Sequence, residues 1–519
     1  MWATPAAPGA VDEKVSPMTG KFLPRESYLP NRPGYQLLPF RFERWSGDEI
    51  LLVNDVGELV FLAADLFAAL VAHRLEPRET TYSELKAKHF LADTSPSVPI
   101  DLLATKYRTK KSFLDGFTKL HLFVVTLRCD HSCHYCQVSR VNEARSKFDM
   151  SAETAERAVD LMFCSPSRVL KVEIQGGEPL LAFERIQQIV ALCEERNVHE
   201  GRALEFVIAT NLVPLSDEML EFMRQHSILI SMSLDGPELL HNKNRPRKGN
   251  DSYLQVLRNL TRAREVLAHD RVSAVMTTTK ESLGCPTEIV DEYVRLGFVS
   301  IFLRSISPYG YAVRTGEALR YETDQFLAFY KAALDHIIEI NRRGINFVEV
   351  YAQILLTRIL TPFATGYVDL QSPAGTGVGA VAYNYDGGVY ASDEARMLAA
   401  MGDESFRLGS VHDNSYEEIF GGETLRALIA GSVLETLPGC ADCAFLPFCG
   451  ADPVFHWRTQ GDIVGHRPTS AFCVKNMAIL RHLLGLLRNG DSFVRDLLTS
   501  WATGIRSHPV AGAEGVARP

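Results

Sequence analysis

From Lys119 to Ser305 the chain repeats one pattern, a short apolar run followed by an amphipathic stretch. The runs are KLHLFVVTL, RVLKVEIQ, ALEFVIAT, ILISMSLD, RVSAVMTTT and FVSIFLRS. Helical stretches separate them. One starts at Ser151 with Glu153 and Glu156 in its first turns, and others start at Ser216 and Asp251. Apolar strands alternating with helices predict an α/β fold made of parallel βα units. Six such units are too few for a closed eight-unit barrel. They predict a partial, open (βα)6 barrel with ligands at the C-terminal ends of its strands.

Different patterns flank this block. Residues 1–33 are rich in Pro, Gly and Ala without periodicity and are expected to be disordered. Residues 34–112 read as a small α+β module. Its strands are LLPFRFERW, EILLVND and GELVFLA; the helix ADLFAALVAHRL follows, and TTYSELKAKHFL opens another behind a Thr cap. The barrel is expected over 113–320 and a two-helix linker over 321–372. A loop-rich region over 373–490 starts with a Gly-rich hairpin, QSPAGTGVGAVAYNYDGGVYASDE, and ends in a helix over 475–488. A C-terminal helix and a disordered tail are expected over 491–519. No internal repeat is visible.

Composition narrows the function classes. A net charge of -9 argues against broad nucleic-acid binding, which needs a basic surface. No run of 18 apolar residues predicts a membrane span, and the N-terminus lacks the basic-then-apolar pattern of an export signal. A cytoplasmic location is expected. Ten cysteines in 519 residues are too sparse for a disulfide scaffold, so clustered ones read as metal ligands.

Two clusters exist. The first, FVVTLRCDHSCHYC, puts Cys129, Cys133 and Cys136 just past the first strand. Three thiolates can hold three irons of a [4Fe-4S] cluster and leave the fourth iron open to an exogenous chelator. Structural zinc is the rival, but zinc usually takes four protein ligands. The second is Cys440, Cys443 and Cys449 with the later Cys473, which supplies four thiolates for a second [4Fe-4S] cluster or for zinc. Cys164, Cys193 and Cys285 stand alone and read as buried, unreactive thiols.

The CxxxCxxC loop, with Tyr135 before its last cysteine, resembles the radical S-adenosylmethionine (SAM) superfamily, whose core is a partial TIM-like barrel. The resemblance implies a SAM-binding [4Fe-4S] cluster and a 5'-deoxyadenosyl radical. It also implies cofactor contacts. Gly176, Gly177, Glu178 and Pro179 form GGEP after the second strand, with Glu178 as partner of the methionine ammonium. Thr210 and Asn211 end the third strand near the cofactor. Ser231 and Ser233 alternate onto one face of the fourth, with Ser233 the favoured contact. Arg245 matches an arginine that binds the methionine carboxylate.

The second cluster resembles the auxiliary-cluster extension called SPASM. One of its two cluster sets is missing, since Ala374, Ser392 and Pro453 stand where that family has cysteines. The fully ligated remaining cluster implies electron transfer or structural support. Asp393 stands where sulfatase-maturing relatives carry a general base, which makes it the candidate catalytic carboxylate. The front module resembles the winged-helix element by which peptide maturases capture a leader as an added strand. Together with CGADPVFHWRTQGDIVGHRPTSAFC, these segments resemble the longer radical SAM maturase of the His-Xaa-Ser system. That implies an oxidoreductase-like enzyme acting on a ribosomal precursor peptide with a leader. It also implies a second radical SAM maturase and a reductant such as flavodoxin or ferredoxin. A sulfatase-type formylglycine maturase and a noncatalytic peptide-binding subunit with structural metal are the alternatives.

Overall fold

The structure is a computed structural model that describes residues 34–93, 97–142, 146–314 and 321–505. The two tails, 1–33 and 506–519, which take in the stretches expected to be disordered, lie outside the described residues.

Six strands of one nine-stranded sheet follow the expected alternation. The first five are Leu120–Thr126, Val169–Gly176, Ala203–Thr210, Leu229–Ser233 and Val272–Thr277. They lie side by side in chain order and pair in parallel. The pleat sorts their side chains. On the second strand Leu170, Val172 and Ile174 are buried against helices, while Glu173 and Gln175 point into a cavity inside the sheet's curve.

The sixth apolar run is split. Leu303–Arg304 joins the barrel, whereas Ser300–Ile301 pairs with Val348–Glu349 outside it. The buried Glu349 carboxylate accepts from the Leu303 N–H at 3.2 Å, taking the place of a strand partner. The two helices expected as a linker, Thr323–Arg342 and Val350–Leu360, instead pack into the main core through Phe326, Leu334, Leu355 and other buried residues.

The expected hairpin exists and does more than cap the barrel. Ala380–Tyr383 pairs in parallel with the free edge of the first barrel strand. Gly388–Tyr390 and Arg407–Ser410 then extend the sheet antiparallel. Barrel and C-terminal region therefore share one sheet.

The front module is a three-stranded antiparallel sheet, Phe40–Ser46, Glu49–Asn54 and Leu59–Ala63, followed by Ala64–Val71 and Thr80–Ala87. Glu79 takes the N-cap position of the second helix, and Thr80 is its first helical residue rather than the cap. One face of the sheet (Leu52, Val60, Leu62) packs on these helices. The other face (Leu51, Val53) belongs to the same buried core as the barrel. Among the lone cysteines, Cys193 is buried as expected, Cys285 is half-buried, and Cys164 is exposed because it caps the solvent end of its helix.

Candidate active site and cysteine-rich site

The loop after the first strand turns Cys129, Cys133 and Cys136 into one cavity of about 270 Å³ at the C-terminal ends of the barrel strands. Burial pushes the Cys133 thiol up to about 12 and raises Cys129 as well. Thiols so placed stay protonated unless something cationic takes the proton's place, which suits metal ligation. A guanidinium is at hand, since Arg245 lines the same cavity with its side chain only 11% exposed. It is held from behind. Its Nε donates to Asp235 Oδ2 at 3.2 Å, the Tyr135 hydroxyl donates to the same carboxylate at 2.8 Å, and the guanidinium lies 5.4 Å from the Tyr135 ring centroid. Tyr135 thus braces the arginine from within the cysteine loop.

The GGEP segment divides in two. Gly176 and Gly177 line the cavity and press against the strand leading to the cysteines. A Cβ on Gly177 would come 2.3 Å from the Arg128 carbonyl oxygen, so only glycine fits there. Glu178 and Pro179 do not line the cavity. The fully buried Glu178 carboxylate turns instead to the third strand. It accepts from Thr210 Oγ1 at 2.6 Å, from the Asn211 N–H at 2.7 Å and from the Leu180 N–H at 3.0 Å. Burial outweighs these donors and raises its pKa to about 7. Its geometry is that of a brace between strand ends, not of a charge presented to a ligand. Pro179 starts the short buried turn behind it.

Asn211 lines the cavity and fastens the loop: its Nδ2 donates to Asp130 Oδ1 at 2.7 Å, and His131 lies alongside at 3.0 Å. Both Ser231 and Ser233 line the cavity, and so does Asp393 at the start of the helix Asp393–Ala399. Asp393 pairs with the buried Arg396 at 2.8 Å. The cavity also holds Glu173, Gln175, Thr277 and Arg304, which sequence reasoning passed over. Their signal was available in the strand alternation that places them on the face of Ser231 and Ser233. Gln175 Nε2 is buried with no partner among the described residues, a donor left for a bound group.

Cys440, Cys443, Cys449 and Cys473 line a second, mostly apolar cavity of about 410 Å³. None of the four is disulfide-bonded, and burial raises them, Cys449 to about 12 and Cys443 to about 11. Arg358 clamps the loop among them, its guanidinium donating to the carbonyls of Pro447, Phe448 and Cys449 at 2.9–3.2 Å. Ser470 Oγ caps the helix that delivers Cys473. Phe42 and Glu43 of the front module complete the wall, and the Arg41 Nε donates to the Ala441 carbonyl. Four cysteine side chains around one largely apolar space suit a group that they ligate in full. Where the missing set of cysteines would stand, Ala374, Ser392 and Pro453 are buried; Ser392 Oγ caps the Asp393 helix, and small apolar residues such as Ala391 and Val454 fill the surroundings.

The Radical SAM superfamily profile matches residues 123–304, the stretch from the first barrel strand to the sixth. An uncharacterized protein of Methanocaldococcus jannaschii is 27% identical over 197 residues, 38% of this chain and 65% of that protein. The serine-type anaerobic sulfatase-maturating enzyme of Bacteroides thetaiotaomicron is 28% identical over 144 residues, and the match spans only 33% of its length. The cysteine-type anaerobic sulfatase-maturating enzyme of Clostridium perfringens (strain 13 / Type A) is 22% identical over 339 residues, 62% of this chain and 84% of that enzyme. Among solved structures, native anSMEcpe with bound AdoMet aligns with a TM-score of 0.58 at 18% identity, covering 71% of this chain and 99% of that one. Streptococcus suis SuiB bound to precursor peptide SuiA aligns at 0.51 and 15%, covering 83% and 98%. These structural likenesses establish the fold. No helix among the described residues is long and apolar enough to cross a membrane. The cysteine loop, the glycine-lined strand ends and the matched span coincide, so this chain carries a domain of the Radical SAM superfamily, whose cofactors are a [4Fe-4S] cluster and S-adenosylmethionine.

Proposed function

We propose that the chain is a radical SAM maturase that modifies side chains of a ribosomally made precursor peptide, of the His-Xaa-Ser type by resemblance. The observation that supports it most is the single cavity that unites Cys129, Cys133, Cys136, the Gly176–Gly177 edge, Ser233, Arg245 and Asp393. When bound, the cluster and SAM would supply the radical chemistry for removing hydrogen from a substrate carbon. The chain's own residues do the rest. The three thiolates hold three irons, and Arg245, braced by Asp235 and Tyr135, receives the methionine carboxylate. Ser233 and Asn211 orient the cofactor, and the glycine edge lets it lie against the backbone. Asp393 accepts a proton from the substrate at its carboxylate oxygen. Cys440, Cys443, Cys449 and Cys473 hold one auxiliary [4Fe-4S] cluster that relays electrons or stabilises the region.

The front module is the proposed leader site. Phe40–Ser46 is an edge strand with no strand partner on its outer side among the described residues. Phe42 is 54% exposed and its ring centroid lies 4.8 Å from that of Phe67 on the adjoining helix. An extended leader adding to this edge would set apolar side chains against those rings. A reductant of the flavodoxin or ferredoxin class and a second radical SAM maturase are proposed partners. The test is anaerobic reconstitution with iron and sulfide, reduction, and assay of 5'-deoxyadenosine together with the mass of a precursor carrying His-Xaa-Ser repeats. 5'-Deoxyadenosine with an unchanged precursor, and formylglycine in a sulfatase peptide, would favour the sulfatase-type alternative.

A further inference from the structure

A second chamber of about 180 Å³ lies beside the cofactor cavity, and Arg304 forms part of the wall of both. It has room for several waters' volume, or for one side chain. The helix Asp393–Ala399 starts at the boundary, so that Asp393 lines the cofactor cavity and the next residue, Glu394, lines the second chamber. Neither the cysteine sites nor the proposed cofactor contacts use this space.

Its chemistry is unbalanced. Asp369, Glu394 and Asp452 face it, against Lys475 and Arg304. Burial, then the charges of Asp369 and Asp393, pushes Glu394 up to about 7. Asp452 is raised well above the usual carboxylate range by burial and by Asp369 and Glu394. Three carboxylates sharing two cations resist full ionisation, and a further cation would let them ionise. The two resident cations belong to the chamber's own wall: the Lys475 ammonium lies 5.6 Å and 5.8 Å from the Tyr351 and Phe472 ring centroids, and Arg304 pairs with Glu394 at 4.0 Å, which leaves three carboxylates facing two cations.

A second observation also points to a ligand. Tyr309 is 1% exposed and lines the chamber, yet its hydroxyl has no hydrogen-bond partner among the described residues. A buried hydroxyl without a partner costs about 1–3 kcal/mol, so one facing a chamber signals a group that fills it. Aromatic walls (Tyr321, Phe326, Tyr367) suit a cation's face as well as an apolar stem.

We infer that this chamber receives a positively charged side chain of the substrate peptide, an ammonium, guanidinium or imidazolium, and thereby sets which neighbouring residue reaches the cofactor cavity. The inference rests on the peptide-maturase reading and adds a substrate class to it. The cation lies among Asp369, Glu394 and Asp452, with the Tyr309 hydroxyl donating to a peptide carbonyl or accepting from the cation's N–H. The peptide backbone then passes Arg304 toward Asp393.

The test uses the reconstituted holoenzyme with SAM and no reductant, titrated calorimetrically with capped tripeptides. The probes are Ac-Gly-Xaa-Gly-NH2 with Xaa as Lys, Arg, His, Leu or Glu. At least one cationic probe is expected to bind tenfold or more tighter than the Leu and Glu probes. Glu394→Gln and Asp452→Asn are each expected to erase most of that preference; Asn caps the helix Pro453–Gln460 as Asp452 now does, which protects the fold. Circular dichroism and iron content confirm folding, and Tyr309→Phe serves as a third variant with weaker binding expected. Equal affinity for the Leu or Glu probe would overturn the inference. So would wild-type preference in both carboxamide variants, or no cationic binding at about 10 mM. Because no turnover is needed, a failed precursor assay would count against the maturase reading alone, and failed titrations against the chamber alone.

Discussion

At Glu178 one carboxylate serves three donors, two at the end of the third strand and one in the turn after the second, and the energetic consequence is direct. Removing it orphans the Thr210 hydroxyl and the Asn211 and Leu180 N–H groups, all buried. Each orphan costs about 1–3 kcal/mol before relaxation, so Glu178→Ala is expected to destabilise by about 3 kcal/mol. Glu178→Gln, which keeps an acceptor oxygen, should cost less; denaturant midpoints of the two variants check the order. If Glu178→Ala were as stable as the parent, the brace would be disproved. For the cysteines the expectation is chemical. Changing Cys129, Cys133 and Cys136 together to Ala should abolish 5'-deoxyadenosine formation while leaving the iron at the other four cysteines. Persistent 5'-deoxyadenosine would refute the assignment. Residue identity was legible in the spacing for both cysteine sets, because thiolate ligation needs local clustering. The role of Glu178 was not, because its partners lie 32 and 33 residues away and only strand pairing brings them near.

At the scale of elements, the hairpin is the clearest case. Its Gly-rich pattern announced two strands but not their neighbour, and Ala380–Tyr383 closes on the first barrel strand, over 250 residues earlier in the chain. Iron content tests the cysteine-rich element beyond it: two clusters give about eight irons per chain, whereas zinc at the second site gives about four irons and one zinc. Changing Cys440, Cys443, Cys449 and Cys473 to Ala should lower iron to about four. Arg358→Ala, which frees three loop carbonyls, should reduce occupancy of that site without touching the first. The edge strand of the front module carries its own prediction. Phe42→Asp places a charge where an apolar leader side chain would pack, and should weaken binding of a fluorescently labelled leader about tenfold or more. Unchanged anisotropy curves would leave the edge as mere packing.

For the whole molecule, the shared core changes what a truncation means. The front module sends Leu51 and Val53 into the same buried cluster as Phe123 and Ile174. Trp45 and Phe61 lie under Arg481 and Arg488 of the long C-terminal helix Ala471–Asn489. Deleting the module would therefore expose the barrel's core, and substitutions at its edge are the better probe of leader binding. Module and barrel are expected to melt in one transition, followed by calorimetry alongside near-ultraviolet circular dichroism. A separate early transition of the module would contradict the shared core.

The sequence by itself determined the class of fold, the order of the barrel strands and both sets of cysteines. Each of these is written in short-range periodicity or spacing, and local physics decides it: alternation sorts a strand's faces, and three thiols within eight residues can meet without help from the rest of the chain. Only the tertiary structure decided that Glu178 turns inward, that the sixth run is split by Glu349, and that Phe42 reaches the wall of the second cysteine site. It alone gathered Asp369, Glu394, Asp452 and Lys475 around one chamber. Residues so far apart in the chain carry no common local pattern, and their charges interact only once burial removes water from between them.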